Sequence, residues 1–237
     1  MAIVAAGITS HMFRGIFVTG TDTNVGKTVV SAALMLRYRD EAPLRYWKPI
    51  QTGIERDDDS AEVARLAQCC EDEIFNCGVR LPRAVSPHLA ARLSGTRITV
   101  RDLVEQLREA DHKTRAATPR WIVEGAGGVL VPINERETMA DVILGLHIPV
   151  LVVARSTVGT INHTLLTIEA LRRRMMRVAG VIMVGTPDDE NRAAIEKYGA
   201  AEVIAQMPRF DPLTPGTLAA WAATEFDRNG VLFGCLR

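Results

Sequence analysis

The stretch Gly20-Thr21-Asp22-Thr23-Asn24-Val25-Gly26-Lys27-Thr28 constrains this chain more than any other. An apolar run, Ile16-Phe17-Val18, leads into it, and Val29-Val30-Ser31-Ala32-Ala33-Leu34 follows it. That is the order strand, glycine-bounded turn, helix. Glycines let the backbone bend until its N–H groups converge on an anion, and a helix starting there turns its positive end the same way. Lys27 brings a mobile positive charge to the outer phosphates, and the Thr28 hydroxyl suits a magnesium ion. Five residues, where the standard loop has four, separate Gly20 from Gly26. The Gly-Lys-Thr ending and its flanks therefore carry the reading, which is a loop for a nucleoside triphosphate.

The rest of the chain alternates strand and helix patterns. Thr28 to Arg39 repeats apolar residues at helical spacing, Pro43 closes that segment, and Leu44-Arg45-Tyr46-Trp47 reads as a strand ending at Lys48-Pro49. Gln51-Thr52-Gly53 is expected to turn into the acidic run Asp57-Asp58-Asp59-Ser60, ahead of a helix over 61–70 that those carboxylates could simply cap. Residues 74–98 are less regular, with Ser86-Pro87-His88 opening a short helix through Leu93, and an amphipathic helix follows over 99–115. Arg120-Trp121-Ile122-Val123 reads as a short buried strand that delivers Glu124 at its end, before Gly125-Ala126-Gly127-Gly128. Further strands are expected over 149–154, 178–184 and 203–207, with helices to about Arg174, over 188–198, and near 217–226 to finish the chain. Such alternation implies right-handed crossovers and an α/β fold, a mostly parallel sheet with helices on both faces. One P-loop domain over 15–237 is expected, after a loose N-terminal extension over 1–14.

In an open parallel sheet the ligand crevice lies outside the carboxyl ends of the strands. That places Thr28, Asp59 and Glu124 on one rim. Magnesium takes hard oxygen ligands and shares its shell with nucleotide phosphates and water, which one hydroxyl and two carboxylates would suit. Lys27 and Lys48 could neutralise a transferring phosphoryl group. The chemistry implied is phosphoryl transfer from ATP, with the acceptor unnamed. Any phosphate affinity must be local, because 28 basic and 28 acidic side chains leave no net charge to attract nucleic acid or an anionic membrane. No apolar run is long enough to span a membrane, and the opening residues lack the basic leader of a signal peptide. Cys69, Cys70, Cys77 and Cys235 lack paired zinc-site spacing and read as free thiols of a cytoplasmic protein.

Taken together, the motifs resemble one family. The Gly20–Thr28 loop is similar to the GTDTxVGKT loop of dethiobiotin synthetases, extra spacer residue included. Lys48-Pro49-Ile50-Gln51-Thr52-Gly53 resembles that family's KPxxxG segment, and Asp57 to Val63 its acidic segment. Ser86-Pro87-His88 matches its SPH turn, Glu124-Gly125-Ala126-Gly127-Gly128 its EGAGG, and Gly159 to Thr164 its G-x-x-NH-x segment. The matches run in order from about residue 15 to 210. The resemblance implies carboxylation of 7,8-diaminopelargonic acid by CO2 (or bicarbonate) with ring closure, dependent on magnesium and ATP, in biotin synthesis. It also implies that Asn24, Val25, Gly26, Lys27, Thr28 and Val29 wrap the phosphates, together with Gly125, Ala126 and Gly127. Thr28, Asp59 and Glu124 would hold magnesium, and Lys48 would act on the carbamate and incoming phosphoryl group alongside Lys27. Thr23, Thr52 and Gly127 would hold the diamine, and Pro208, Arg209 and Phe210 the nucleoside. The family is a homodimer with sites at its interface, where Asn162 would reach the partner's substrate tail.

One departure stands out. Well-known members carry Asn-Asp where this chain has Val184-Gly185, and that Asn reads adenine, so selectivity for the base is open here. A different class, the ParA/MinD-like switch ATPases, shares the expected sheet and loop. Those proteins usually carry a second lysine early in the loop, where this chain has Asp22, and often a membrane tail, of which Phe226 to Arg237 shows no clear version.

Overall fold

A computed structural model describes residues 13–113 and 119–236. Most of the expected extension, residues 1–12, and the end of the 99–115 helix therefore lie outside the described residues. In chain order the elements are β1 (Gly15–Gly20), α1 (Lys27–Tyr38), β2 (Leu44–Trp47), β3 (Ile50–Thr52), α2 (Asp59–Ala67), β4 (Ile74–Phe75) and β5 (Val79–Leu81). Next come α3 (Pro87–Leu93), α4 (Val100–Lys113), β6 (Arg120–Gly128), α5 (Met139–Leu146), β7 (Val150–Arg155) and α6 (Thr160–Arg172). The last are β8 (Val178–Val184), α7 (Asp189–Gly199), β9 (Val203–Met207), α8 (Pro215–Thr224) and α9 (Val231–Leu236).

Seven strands form one sheet in the order β4-β2-β6-β1-β7-β8-β9, and every pairing in it is parallel. Such strands are buried on both faces, and their side chains alternate between two cores. Phe17, Trp47, Trp121, Val123, Val152 and Met183 join the core under α3 to α7. Ile16, Val18, Tyr46, Ile122, Val153 and Ile182 join the core under α1, α2, α8 and α9. Central β1 lies between β6 and β7, and its chain crosses over β6 to reach β2. The loop after β1 therefore opens where the strand order reverses, the usual ligand crevice of such sheets.

Four expectations need correction. Gln51-Thr52 is not a turn: β3 pairs in parallel with β5 as a separate two-stranded sheet, so the irregular 74–98 stretch contains strand as well as α3. β6 does not stop at Val123. It runs on through the glycine cluster beside β1, with Gly20 opposite Gly128, so Glu124 sits within the strand opposite Val18. α5 lies in a stretch with no expected element, and α9, not α8, ends the described chain.

Candidate active site

The loop is shaped by backbone that few residues tolerate. Gly26, at φ +102°, hands the chain into α1, and a Cβ there would lie 3.2 Å from Val184 Cγ1. Asn24 is also left-handed, at φ +53°, a conformation Asn reaches more easily than most. The Lys27 ammonium donates to the Asp22 carbonyl at 2.9 Å, so its charge lies along the loop. Burial, and then the neighbouring Lys48 charge, hold Lys27 down to about 8.

The centre of the site is Glu124, which is fully buried. A buried carboxylate is tolerable only when its lone pairs are met. Here Ser31 Oγ and Tyr46 Oη donate to Oε2 at 3.1 and 3.0 Å, while Lys48 Nζ donates to Oε1 at 2.8 Å. Lys48 also reaches Asp59 Oδ2 at 2.6 Å and the Gly125 carbonyl at 3.1 Å. Burial acts to lower the Lys48 pKa, but Glu124 and Asp59 outweigh it and raise it. Burial likewise acts to raise the Asp59 carboxyl, and Lys48 overrides it and lowers it. Lys48 is thus a charged ammonium clamped between two carboxylates.

Thr28 Oγ1 lies 3.0 Å from Asp59 Oδ1 and 3.1 Å from Glu124 Oε1. A hydroxyl carries one proton and can satisfy only one of them at a time. Three oxygens sharing a single proton are a donor set suited to a small hard cation, and the residues fit magnesium on that ground. Among the described residues no group of three or more His, Cys, Asp or Glu side chains could hold a metal. A cation at Thr28, Asp59 and Glu124 would therefore complete its shell from nucleotide phosphate and water.

These groups line a cavity of about 620 Å3. Thr23, Asn24, Gly26, Lys27, Thr28, Val29, Lys48, Thr52, Asp59, Glu124, Ala126 and Gly127 all face it. Gly127 is left-handed at φ +68°, and a Cβ there would meet Val131 Cγ2 at 2.9 Å, so only glycine fits that wall. Other candidates lie elsewhere. Val25 is packed in the core, and Gly125 contributes its carbonyl rather than a wall. Pro208, Arg209 and Phe210 follow β9 outside the cavity, next to Met207, whose Cε lies 3.6 Å from a Gly26 Cβ position. Asn162 is exposed in the first turn of α6 and does not line the cavity of its own chain.

Sequence reasoning missed Ser31, Tyr46, Gln51, Asp57, Val131 and the Ala84 to Pro87 wall. Ser31 had a signal, since it stands one helical turn after Lys27 on the face that meets the sheet. Tyr46 stands two residues before Lys48, the strand period, and both side chains reach Glu124. Ser86 and Pro87 belong to the quoted Ser-Pro-His turn but were given no site role, and Ala84 and Val85 had no local signal.

A family described as an AAA domain matches residues 14–217. An ATP-dependent dethiobiotin synthetase BioD of Paramagnetospirillum magneticum is 46% identical over 217 residues, 92% of this chain and 98% of that protein. A protein of the same name from Agrobacterium fabrum is 40% identical, covering 89% of this chain and 93% of its own length. Among solved structures, a ParA family ATPase from Chlorobium tepidum has a TM-score of 0.55 at 11% identity, covering 96% of this chain and 99% of its own. A MinD protein with Mg-ADP from Pyrococcus horikoshii has a TM-score of 0.54 at 14% identity, covering 94% of this chain and 86% of its own. Those structural likenesses show a shared P-loop NTPase sheet and nothing about activity, whereas identity of 40–46% over nearly full length carries more. The chain belongs to the dethiobiotin synthetase family.

Proposed function

We propose that this protein is an ATP-dependent dethiobiotin synthetase, a ligase that forms C–N bonds. One amine of 7,8-diaminopelargonic acid adds CO2 and loses a proton to become a carbamate. The carbamate oxygen takes the γ-phosphoryl group of ATP, leaving ADP and a carbamic–phosphoric anhydride. The second amine attacks the carbonyl carbon, phosphate departs, the amine gives up a proton to phosphate or water, and the ureido ring closes. A carbamate is a poor electrophile until phosphate makes its oxygen a good leaving group. No enzyme nucleophile is required, so positioning and charge stabilisation must supply the rate.

The observation that carries this reading is the clamp of Lys48 between Asp59 and Glu124, at 2.6 and 2.8 Å, on the floor of the cavity that Lys27 and Thr28 also line. In that position an ammonium meets carbamate and phosphoryl oxygens as negative charge passes between them. Lys27 and the loop N–H groups hold the β- and γ-phosphates. Thr28, Asp59 and Glu124 would hold Mg2+, which when bound supplies charge neutralisation on the phosphates. Thr23, Thr52 and Gly127 border the diamine, and Pro208 to Phe210 the nucleoside.

Asn162 is exposed and does not line the cavity of its own chain; in a homodimer it would serve the partner's substrate. The four cysteines are unpaired, and no helix among the described residues is long and apolar enough to cross a membrane. We place the enzyme in the cytoplasm on the thiols. The test is phosphate release with ATP, bicarbonate, magnesium and the diamine. Release is expected to require the diamine and to vanish in Lys48→Ala while nucleotide binding persists; release independent of the diamine, or normal turnover in the variant, would refute the assignment.

A further inference from the structure

The phosphate loop contains a carboxylate of its own, and that is an electrostatic problem. Asp22 sits two residues after Gly20, so its negative charge lies in the backbone that must receive a triphosphate. The Asp22 carboxylate accepts the Thr23 N–H at 2.7 Å through Oδ1, and this backbone hydrogen bond, with help from Arg155, keeps its pKa below the usual range. Asp22 is therefore ionised near neutral pH. Its other oxygen, Oδ2, accepts from Arg155 Nη2 at 2.5 Å, and the same nitrogen reaches the Thr23 carbonyl at 3.4 Å. Arg155 is the last residue of β7, the strand beside β1, and Thr21 N is bonded to the Val153 carbonyl at 2.9 Å. The loop's first limb is thus tied to the end of β7 by one backbone and one charged contact. The Asp22 carbonyl in turn holds Lys27 Nζ. Arg155 does not line the cavity.

We propose that Arg155 is a positioning residue for the triphosphate: it neutralises Asp22 and pins the Thr21–Thr23 limb, so that the phosphates meet Lys27 without an opposing loop charge. The pair is exposed, 44% and 54% by side chain, so it adds little to stability. Its effect is on a multiply charged ligand, for which one uncompensated carboxylate nearby counts several times over. The inference rests on the reading of residues 20–28 as a phosphate loop.

The experiment is calorimetric binding of ATP to the intact protein and to Arg155→Ala, Arg155→Lys, Asp22→Asn and the double variant Asp22→Asn/Arg155→Ala, at low and high salt, with melting temperatures as a folding control. Arg155→Ala is expected to weaken ATP about fivefold or more at low salt and less at high salt. Arg155→Lys should recover part of that loss, and the double variant should bind better than Arg155→Ala. Unchanged affinity in Arg155→Ala overturns the proposal, as does a double variant no better than Arg155→Ala, which would mean the arginine does not act by neutralising Asp22. If the unaltered protein fails to bind ATP, the loop assignment itself is wrong, an outcome distinct from both.

Discussion

Lys48 and Glu124 bind each other where neither could be buried alone. Removing the lysine leaves a fully buried carboxylate with only neutral donors. Breaking a buried pair from one side costs about 3–5 kcal/mol, so Lys48→Ala should melt well below the parent protein in the absence of metal. The same variant should gain more from magnesium than the parent does, since the cation then replaces the lost charge, and melting curves with and without magnesium measure the difference. Val184 carries a second residue-scale expectation. Its methyl groups crowd Gly26, with Cγ1 3.2 Å from a Cβ position there, so an apolar side chain stands where the family resemblance implies an adenine-reading amide. ATP should therefore be little preferred over other nucleoside triphosphates, and Val184→Asn should raise the ratio of kcat/KM for ATP to that for the others. The site's charged residues were legible because their chemistry is local or motif-bound: a lysine after glycine, a lysine after a strand, an aspartate opening a helix, and a glutamate between an apolar run and a glycine cluster. Ser31 and Tyr46 escaped notice because a hydroxyl in a helix or strand resembles ordinary filler until the carboxylate it serves is in place.

At the scale of elements, the parts that failed to show in the sequence are those held by tertiary contacts. α9 is six residues, Val-Leu-Phe-Gly-Cys-Leu, with a glycine inside and no helical period; alone it would not form. It is fixed by Asp227, whose Oδ1 and Oδ2 accept the Val231 and Leu232 N–H groups, both at 2.8 Å, and by the Tyr38 hydroxyl of α1, which donates to the same carboxylate. α5 had a cue in Thr138-x-x-Asp141, where the Asp141 carboxylate accepts the Thr138 N–H at 2.7 Å. Its continuous apolar sequence hid the period. The six longer strands of the main sheet, by contrast, announce themselves as apolar runs between helices, and β6 was misjudged only in length. Tyr38→Phe tests the α9 anchor: leaving a buried acceptor short of a donor costs about 1–3 kcal/mol. Burial, then Asp227, raise the Tyr38 pKa above its ordinary value. A raised pKa means that the contribution is complete below about pH 10, the unfolded tyrosine value, and is lost as pH climbs beyond it, because only the unfolded phenol ionises there. Urea titrations at pH 8 and above pH 10 should show a shallower alkaline loss in the variant than in the parent.

At the scale of the whole molecule, the fold brings Asp59 and Glu124, from distant parts of the chain, to 3.0 and 3.1 Å from the Thr28 hydroxyl. Asn162 does not line the cavity of its own chain. Val158 is fully exposed just before α6, and Leu166, two turns into that helix, is 54% exposed. Exposed apolar side chains beside the exposed Asn162 fit an isologous dimer, in which the same patch meets itself and each protomer completes the other's site. Mixing subunits decides this. Co-expression of Lys48→Ala chains with Asn162→Ala chains produces mixed dimers in which one site carries both defects and the other carries neither. If Asn162 acts across the interface, random pairing restores about a quarter of the parent activity at limiting diamine. If it acts within its own chain, every site in every dimer keeps one defect, and the mixture is no better than the average of the two variants measured apart.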